Sequence, residues 1–213
     1  MTSGTPCIWV LAGTNGAGKS SIAGALLRRS KGDYFNPDEV SRRLRAERPN
    51  LTQAEADAVA WAAGVRLLDA AIRERRDHFF ETTLGGTTIV GRLERALDEH
   101  LELRIWYVGL AGVELHLERI AARVAAGGHD IPEADVRRRY DASRRNLVRL
   151  MPRLTELRLF DNSTAADPSA GRVPEPMELL HLRHGRLLAL ATPKVMPEWA
   201  KPIAAAAILR SSR

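Results

Sequence analysis

The stretch CIWVLAGTNGAGKSS, residues 7–21, decides the fold class. Cys7 to Ala12 is apolar without alternation, the composition of a strand covered on both faces in a parallel sheet. Gly13-Thr14-Asn15-Gly16-Ala17-Gly18-Lys19-Ser20 then fills the pattern G-x-x-x-x-G-K-[ST], between that strand and a helix expected over residues 18–30. Such a loop wraps phosphate oxygens in backbone N–H groups, so it needs glycines that leave room and accept positive φ. Lys19 is placed to bridge the outer phosphates and Ser20 to ligate Mg²⁺. The positive end of the helix, with Ser21 in its first turn, points at the same anion. Residues 13–21 therefore predict a binding site for an NTP, taken here as ATP, and Mg²⁺; the motif does not choose between ATP and GTP.

Outward from this loop, short apolar runs alternate with helical patterns. DYFNPD (33–38) reads as a second strand, followed by helices over 39–47 and 52–76. In the longer helix Thr52 and Glu55 form a capping box, and Val59, Ala63, Leu67 and Ala71 recur at three-to-four spacing as the expected core face. DHFFETT (77–83), LELRIWYVGL (101–110) and LRLFDNS (157–163) read as three more strands, and residues 88–100, 113–125 and 133–150 as helices. MELLHLRHGRLLALA (177–191) looks like a hairpin turning at His184 and Gly185. The expected architecture is a three-layer α/β P-loop NTPase of kinase type with a mostly parallel central sheet. Its core would span 1–167, with a helical arginine lid around 119–149. Residues 168–213 would be a small appendage, a hairpin plus a tail packed on the core through Trp199.

Composition bounds the function loosely. A chain of 213 residues that is 45% apolar suits one domain. Its formal charge of +6 comes from 28 arginines against four lysines, and an arginine excess of that kind says little about a partner. A lone Cys7 excludes an internal disulfide and fits a reducing cytoplasm. Neither MTSGTPCIWVLAG nor IAAAAIL is long enough to cross a bilayer, so no membrane association is expected. Aromatics are 5% of the residues and no recognition motif is present, which argues against nucleic acid as partner.

Two acidic stretches stand at expected strand ends. FNPDEV places Asp38 after the second strand, and FFETTLGG places Glu81, Thr82 and Thr83 at the end of the third. Ligands of open α/β sheets gather outside the carboxyl ends of the strands, so both groups should face the mouth that holds the loop. Asp38 can accept the proton of an attacking hydroxyl, or cap the helix that starts at Glu39. Glu81 can bind a substrate hydroxyl or order water on Mg²⁺. Thr82 and Thr83 are weaker substrate-binding candidates.

Taken together, GTNGAGKSS, FNPDEV, FFETTLGG, YVGLAGVELHLERIAARVAAGGHDIPEADVRRRY and LFDNST resemble the zeta-toxin family of P-loop kinases, over about residues 8–165. The resemblance implies a kinase fold with a lid, phosphorylation of a hydroxyl on UDP-N-acetylglucosamine, and an antitoxin protein as candidate partner. It also implies Asp38 as catalytic base and Glu81 as substrate-binding acid. The chain is shorter than typical toxins and ends in a hairpin that this activity does not explain.

GGHDIPEADVRRRYDASRRNLVRL, residues 127–150, holds six arginines and no lysine. On a helix over 133–150, Val136, Tyr140, Leu147 and Met151 make one apolar seam, edged by Arg137 and Arg144 on one side and Arg139 on the other. Arg138, Arg145 and Arg149 should be solvated. Arg119 and Arg123 share a face of the preceding helix with His116, and Gly127-Gly128 supplies the composition of a hinge. Arg123 and Arg139 are the preferred clamps on the transferring phosphoryl group, with Arg119, Arg137 and Arg144 in reserve. His129 is a substrate-contact candidate and Asn162 an adenine-contact candidate. The leading function is ATP-dependent phosphorylation of a small-molecule alcohol. The alternatives are an NTP-dependent nucleic-acid-binding ATPase and a nucleotide-gated protein-binding module without phosphotransfer.

Overall fold

The computed structural model describes residues 4–19, 22–24, 34–164 and 176–212. Seven strands form one sheet in the order β2-β3-β1-β4-β5-β6-β7. They are β1 (Cys7–Ala12), β2 (Tyr34–Phe35), β3 (His78–Thr82), β4 (Glu102–Gly109), β5 (Glu156–Asp161), β6 (Met177–Arg183) and β7 (Arg186–Leu190). The first five run parallel, and β6 and β7 close the sheet antiparallel. The helices are α1 (Pro37–Glu47), α2 (Gln53–Arg73), α3 (Thr87–Asp98), α4 (Val113–Ala125), α5 (Glu133–Leu150) and α6 (Lys201–Ser211). Of the helix expected over 18–30, residues 22–24 are helical, Gly18 and Lys19 still belong to the loop, and residues 20–21 and 25–30 lie outside the described residues.

Every residue of β1 is buried. Ile8, Val10 and Ala12 join one apolar cluster with Leu68, Ile72, Leu93 and Leu147 of the flanking helices. Cys7, Trp9 and Leu11 join a second cluster, with Phe79, Trp106 and Ile22, on the opposite face. That is the pattern of a central strand in a three-layer sandwich. The rim of the second face is covered by charge stems: Arg104 lies 4.7 Å over the Trp9 ring and Arg158 4.9 Å over Trp106.

Two expectations are corrected here. The core face of α2 is not Val59, Ala63, Leu67 and Ala71, because Val59 and Leu67 are exposed. Its buried face is Ala56, Ala60, Val65, Leu68, Ala71 and Ile72, since small alanines let the helix lie close to its neighbours where larger residues would hold it off. The hairpin 177–191, expected as an appendage, is continuous with the sheet. Its turn uses positive φ at His184 and Gly185, as a two-residue type I′ turn needs. The tail also forms the unanticipated helix α6. Before it, Trp199 fills the space over Gly109, where an added Cβ would come within 2.4 Å of the indole. The Trp199 Nε1–H donates to Asp161 Oδ1 at 2.9 Å. Residues 168–175 of the Pro/Gly/Ser-rich stretch 168–176 lie outside the described residues.

Candidate active site

The loop after β1 has the backbone that its glycines allow. Gly13, Gly16 and Gly18 have φ of 145°, 81° and 78°, values that side chains strongly disfavour. A Cβ on Gly13 would come within 2.2 Å of Val108 O, and one on Gly16 within 2.8 Å of His116 O. Lys19, at the end of the loop, donates to Gly13 O at 2.8 Å and lies 3.4 Å from Glu81 Oε1. Ser20 and Ser21 lie outside the described residues.

Three neighbours hold the loop from outside. Asn162 is buried, and its Nδ2 donates to Ala17 O at 2.9 Å. His116 donates from Nδ1 to Asn15 O at 2.7 Å, which fixes its tautomer. Gly13 N–H donates to Thr82 O at 3.2 Å. Thr14 is buried below the loop, beside the hydroxyl of Tyr107. Tyr107 in turn donates to Ser143, and Ser143 Oγ donates to Thr83 O at 2.6 Å. The chain Tyr107–Ser143–Thr83 joins the sheet, α5 and the loop after β3, and burial pushes the Tyr107 phenol up to about 12.

Burial pulls the His116 imidazole down to about 4, against a smaller upward effect of its bond to Asn15 O, and the Lys19 charge adds to the fall. Between the ordinary value of 6.5 and about 4, the unfolded chain takes up a proton that the folded chain refuses. The stability tied to His116 is therefore complete above the ordinary value and is lost as pH falls through that window, by about 3 kcal/mol in all. A His116→Gln variant, compared with the parent by denaturant unfolding at pH values across the window, should show a shallower loss on acidification. Equal slopes would place the acid sensitivity elsewhere.

Asp38 and Glu81 come to the same place. A cleft of about 440 Å³ opens beside the loop, and Asn15, Asp38, Glu81, Thr83, His129 and Arg139 all line it. The cap of α1 is Asn36, whose Oδ1 accepts from Asp38 N and Glu39 N at 2.9 and 3.4 Å. The capping alternative for Asp38 is thereby corrected: with Pro37 at the first helical position, Asp38 falls two residues past the cap, and its carboxylate has no partner among the described residues. Glu81 accepts from Tyr34 Oη at 2.6 Å and from Asn36 Nδ2 at 3.3 Å. Thr82 and Thr83 turn their hydroxyls to Leu84 N and Gly85 N, shaping the strand exit.

The arginines divide by partner. Arg139 Nη1 donates to Asn15 Oδ1 at 3.0 Å and Nη2 to Asp135 Oδ2 at 3.2 Å, so it stands at the loop with one acid beside it. Arg123 faces the 126–131 turn instead and donates to His129 O at 3.0 Å, with its Nε buried and without a hydrogen-bond partner among the described residues. Arg119 donates to Asn162 O at 2.7 Å and to Thr164 O. Arg137 bridges Glu114 and Glu133, and Arg144 lies 3.8 Å over the Tyr140 ring. Arg138 and Arg149, expected in solvent, pair with Asp135 and Glu94; Arg149 does so through two bonds of 2.7 Å. Gly127 and Gly128 end α4: Gly127 has φ 87°, and the pair donates to Val124 O and Arg123 O in a Schellman cap.

Sequence reasoning did not single out His116 or Ser143 as site supports, nor the cleft's apolar wall of Phe35, Trp61, Val65, Phe80 and Ile89. An alternating strand and an amphipathic helix look alike whether they border a site or a core, so no local signal marked them.

A family model described as an AAA domain matches residues 8–147. An uncharacterized protein of Haemophilus influenzae is 32% identical over 128 residues, which are 60% of this chain and 88% of that protein. Among solved structures, the AvrRxo1-ORF1:AvrRxo1-ORF2 complex with sulphate ions matches with a TM-score of 0.64 at 17% identity. The match takes in 96% of this chain and 64% of that chain, so this chain spans under two thirds of that one's length. The same complex with ATP matches at 0.65. A structure from the PezAT chromosomal toxin-antitoxin system of Streptococcus pneumoniae matches at 0.56 and 15% identity, over 82% of this chain and 76% of that chain. The fold is that of P-loop kinases.

Proposed function

The chain belongs to the AAA-domain family, and on that premise we propose that it transfers the γ-phosphate of ATP to a hydroxyl of a small molecule. The observation that carries this reading is the placement of Asp38, a carboxylate free of capping duty, on the same cleft as Asn15, Glu81 and Arg139. A water-splitting switch needs no such pocket for a second substrate.

The loop fits a nucleotide tail, since its glycine backbone leaves no space for side chains, as a loop that cradles phosphate with backbone N–H groups requires. Lys19 would exchange Gly13 O for the outer phosphates. Mg²⁺ supplied with the nucleotide neutralises phosphate charge, and the motif assigns Ser20 to it. The acceptor oxygen bonds to the γ-phosphorus while the bond from that phosphorus to the β–γ bridging oxygen breaks, leaving ADP, and the hydroxyl proton passes to Asp38. Arg139 would leave Asp135 for the charge growing on the equatorial oxygens, and the α4–α5 lid excludes water. Arg123 serves this reading by holding the lid turn.

The finer reading is a zeta-toxin-type kinase with a UDP-amino sugar as acceptor and an antitoxin as partner. It rests on the sequence resemblance, and the fold likeness to the PezAT structure is consistent with it. To test the reaction itself, the protein is incubated with γ-labelled ATP, Mg²⁺ and a bacterial metabolite extract. Label in a small organic molecule is expected, and label found in inorganic phosphate alone would refute the kinase reading.

A further inference from the structure

Half of the cleft has a chemistry that phosphate binding does not use. On α2, Asp57, Trp61 and Val65 recur at four-residue spacing and line one wall. Trp61 is 52% exposed, whereas Trp9, Trp106 and Trp199 are buried. Phe35 lies against the same wall, so near Gly64 that a Cβ there would come within 2.6 Å of its ring. Asp57 is held in place through Oδ1, which accepts from Ser41 Oγ at 2.5 Å and Gln53 Nε2 at 2.8 Å. Among the described residues Oδ2 has no partner, which leaves it for a ligand.

The charge on the cleft is one-sided. Asp38, Asp57, Glu81, Asp130 and Asp135 line it against Arg138 and Arg139. Both arginines pair with Asp135, and Glu81 pairs with Lys19. Among the described residues, Asp38, Asp57 and Asp130 have no lysine or arginine partner within ion-pair distance. A pyrophosphate laid on the α2 wall would meet like charge without compensation. An ammonium group there would have the Asp57 carboxylate and the Trp61 indole to pair with, one helical turn apart on the same wall.

We infer that the phosphate acceptor, in place of the UDP-amino sugar that the sequence resemblance implies, is an amine-bearing alcohol, cationic at neutral pH, whose ammonium lies between Asp57 and Trp61 while its hydroxyl reaches Asp38. The fate of that hydroxyl rests on the kinase reading; the preference of the cleft for a cation does not.

The test reads charge and binding separately from turnover. Trp61 fluorescence, identified by its loss in Trp61→Phe, is quenched with caesium and with iodide. With each quencher scaled to its effect on free N-acetyltryptophanamide, caesium should quench more strongly than iodide, and Asp57→Asn should narrow the difference; scaled iodide quenching equal to that of caesium would overturn the inference. In the second arm, protein loaded with a non-hydrolysable ATP analogue is titrated calorimetrically with kanamycin, phenylethanolamine, uridine and UDP-N-acetylglucosamine. At least one amine should bind about tenfold or more tighter than the pyrophosphate-bearing sugar, and Asp57→Asn or Trp61→Leu should each reduce that margin. Two variants are used because Asp57 also holds Ser41 and Gln53. UDP-N-acetylglucosamine binding as tightly as both amines, or a margin that neither variant changes, would overturn the inference. Amine binding without phosphoryl transfer would refute the kinase reading and leave the cation preference standing.

Discussion

Asp38→Asn is expected to lower the turnover of phosphoryl transfer by about 10²–10⁴-fold, the usual worth of a positioned general base, while ATP binds as before. The local structure makes this substitution a clean probe. Asn36 caps α1 and Pro37 starts it, so the Asp38 side chain has no structural bond to lose. Its charge in the first turn of α1 is worth about 0.3–1 kcal/mol to that helix, too little to unfold the protein. The nucleotide loop is built from other elements and should keep its affinity. Turnover should be followed with the acceptor found in the extract experiment, with nucleotide affinity measured in parallel. Undiminished turnover would remove Asp38 from the chemistry, and a joint fall in both quantities would point to damage at the loop instead.

Gly13→Ala should be the most damaging single methyl group in the chain, costing about 4 kcal/mol or more. Two effects coincide. A φ of 145° is outside what an alanine adopts without strain, and the new Cβ would meet Val108 O at 2.2 Å. Val108 belongs to β4, which is paired on both sides by β1 and β5 and has no free direction to move. Denaturant midpoints against the parent would measure the loss. Gly91→Ala is the matched control, since Gly91 sits inside α3 with nothing within 4 Å of an added Cβ. It should stabilise by about 0.5–1 kcal/mol. Similar midpoints for the two variants would mean that the backbone at residue 13 is softer than its contacts suggest.

What could be read beforehand divides along physical lines. The loop at 13–20 and helix α5 were legible because their signals are local: glycine spacing at one, and Pro132 with a first-turn acid at the other. Convergence of Asp38 and Glu81 followed from topology, since both leave the carboxyl ends of neighbouring parallel strands. The buried face of α2 was misjudged because valine and leucine outweigh alanine on any hydrophobicity scale, whereas here alanines supply half of the buried face and the Phe35 ring packs against Gly64. Helix α6 was missed because its alanine run carries almost no amphipathic contrast. His116 was invisible as a support since its partner is a backbone carbonyl 101 residues away. The arginines gave the least. Which of them meet an acid and which meet the loop depends on helix rotation and on carboxylates contributed by other elements.

The contacts of Trp199 bear on how this molecule could be shortened. Asp161, which receives the indole N–H, is followed by Asn162, whose amide steadies Ala17 in the phosphate-binding turn. One dipeptide thus serves as rivet for the C-terminal segment and for the nucleotide end alike. An engineer who trims to the family-matched residues 8–147 would unplug the hollow above Gly109 and lose that rivet, so the excised piece would be a damaged fold, not a miniature one.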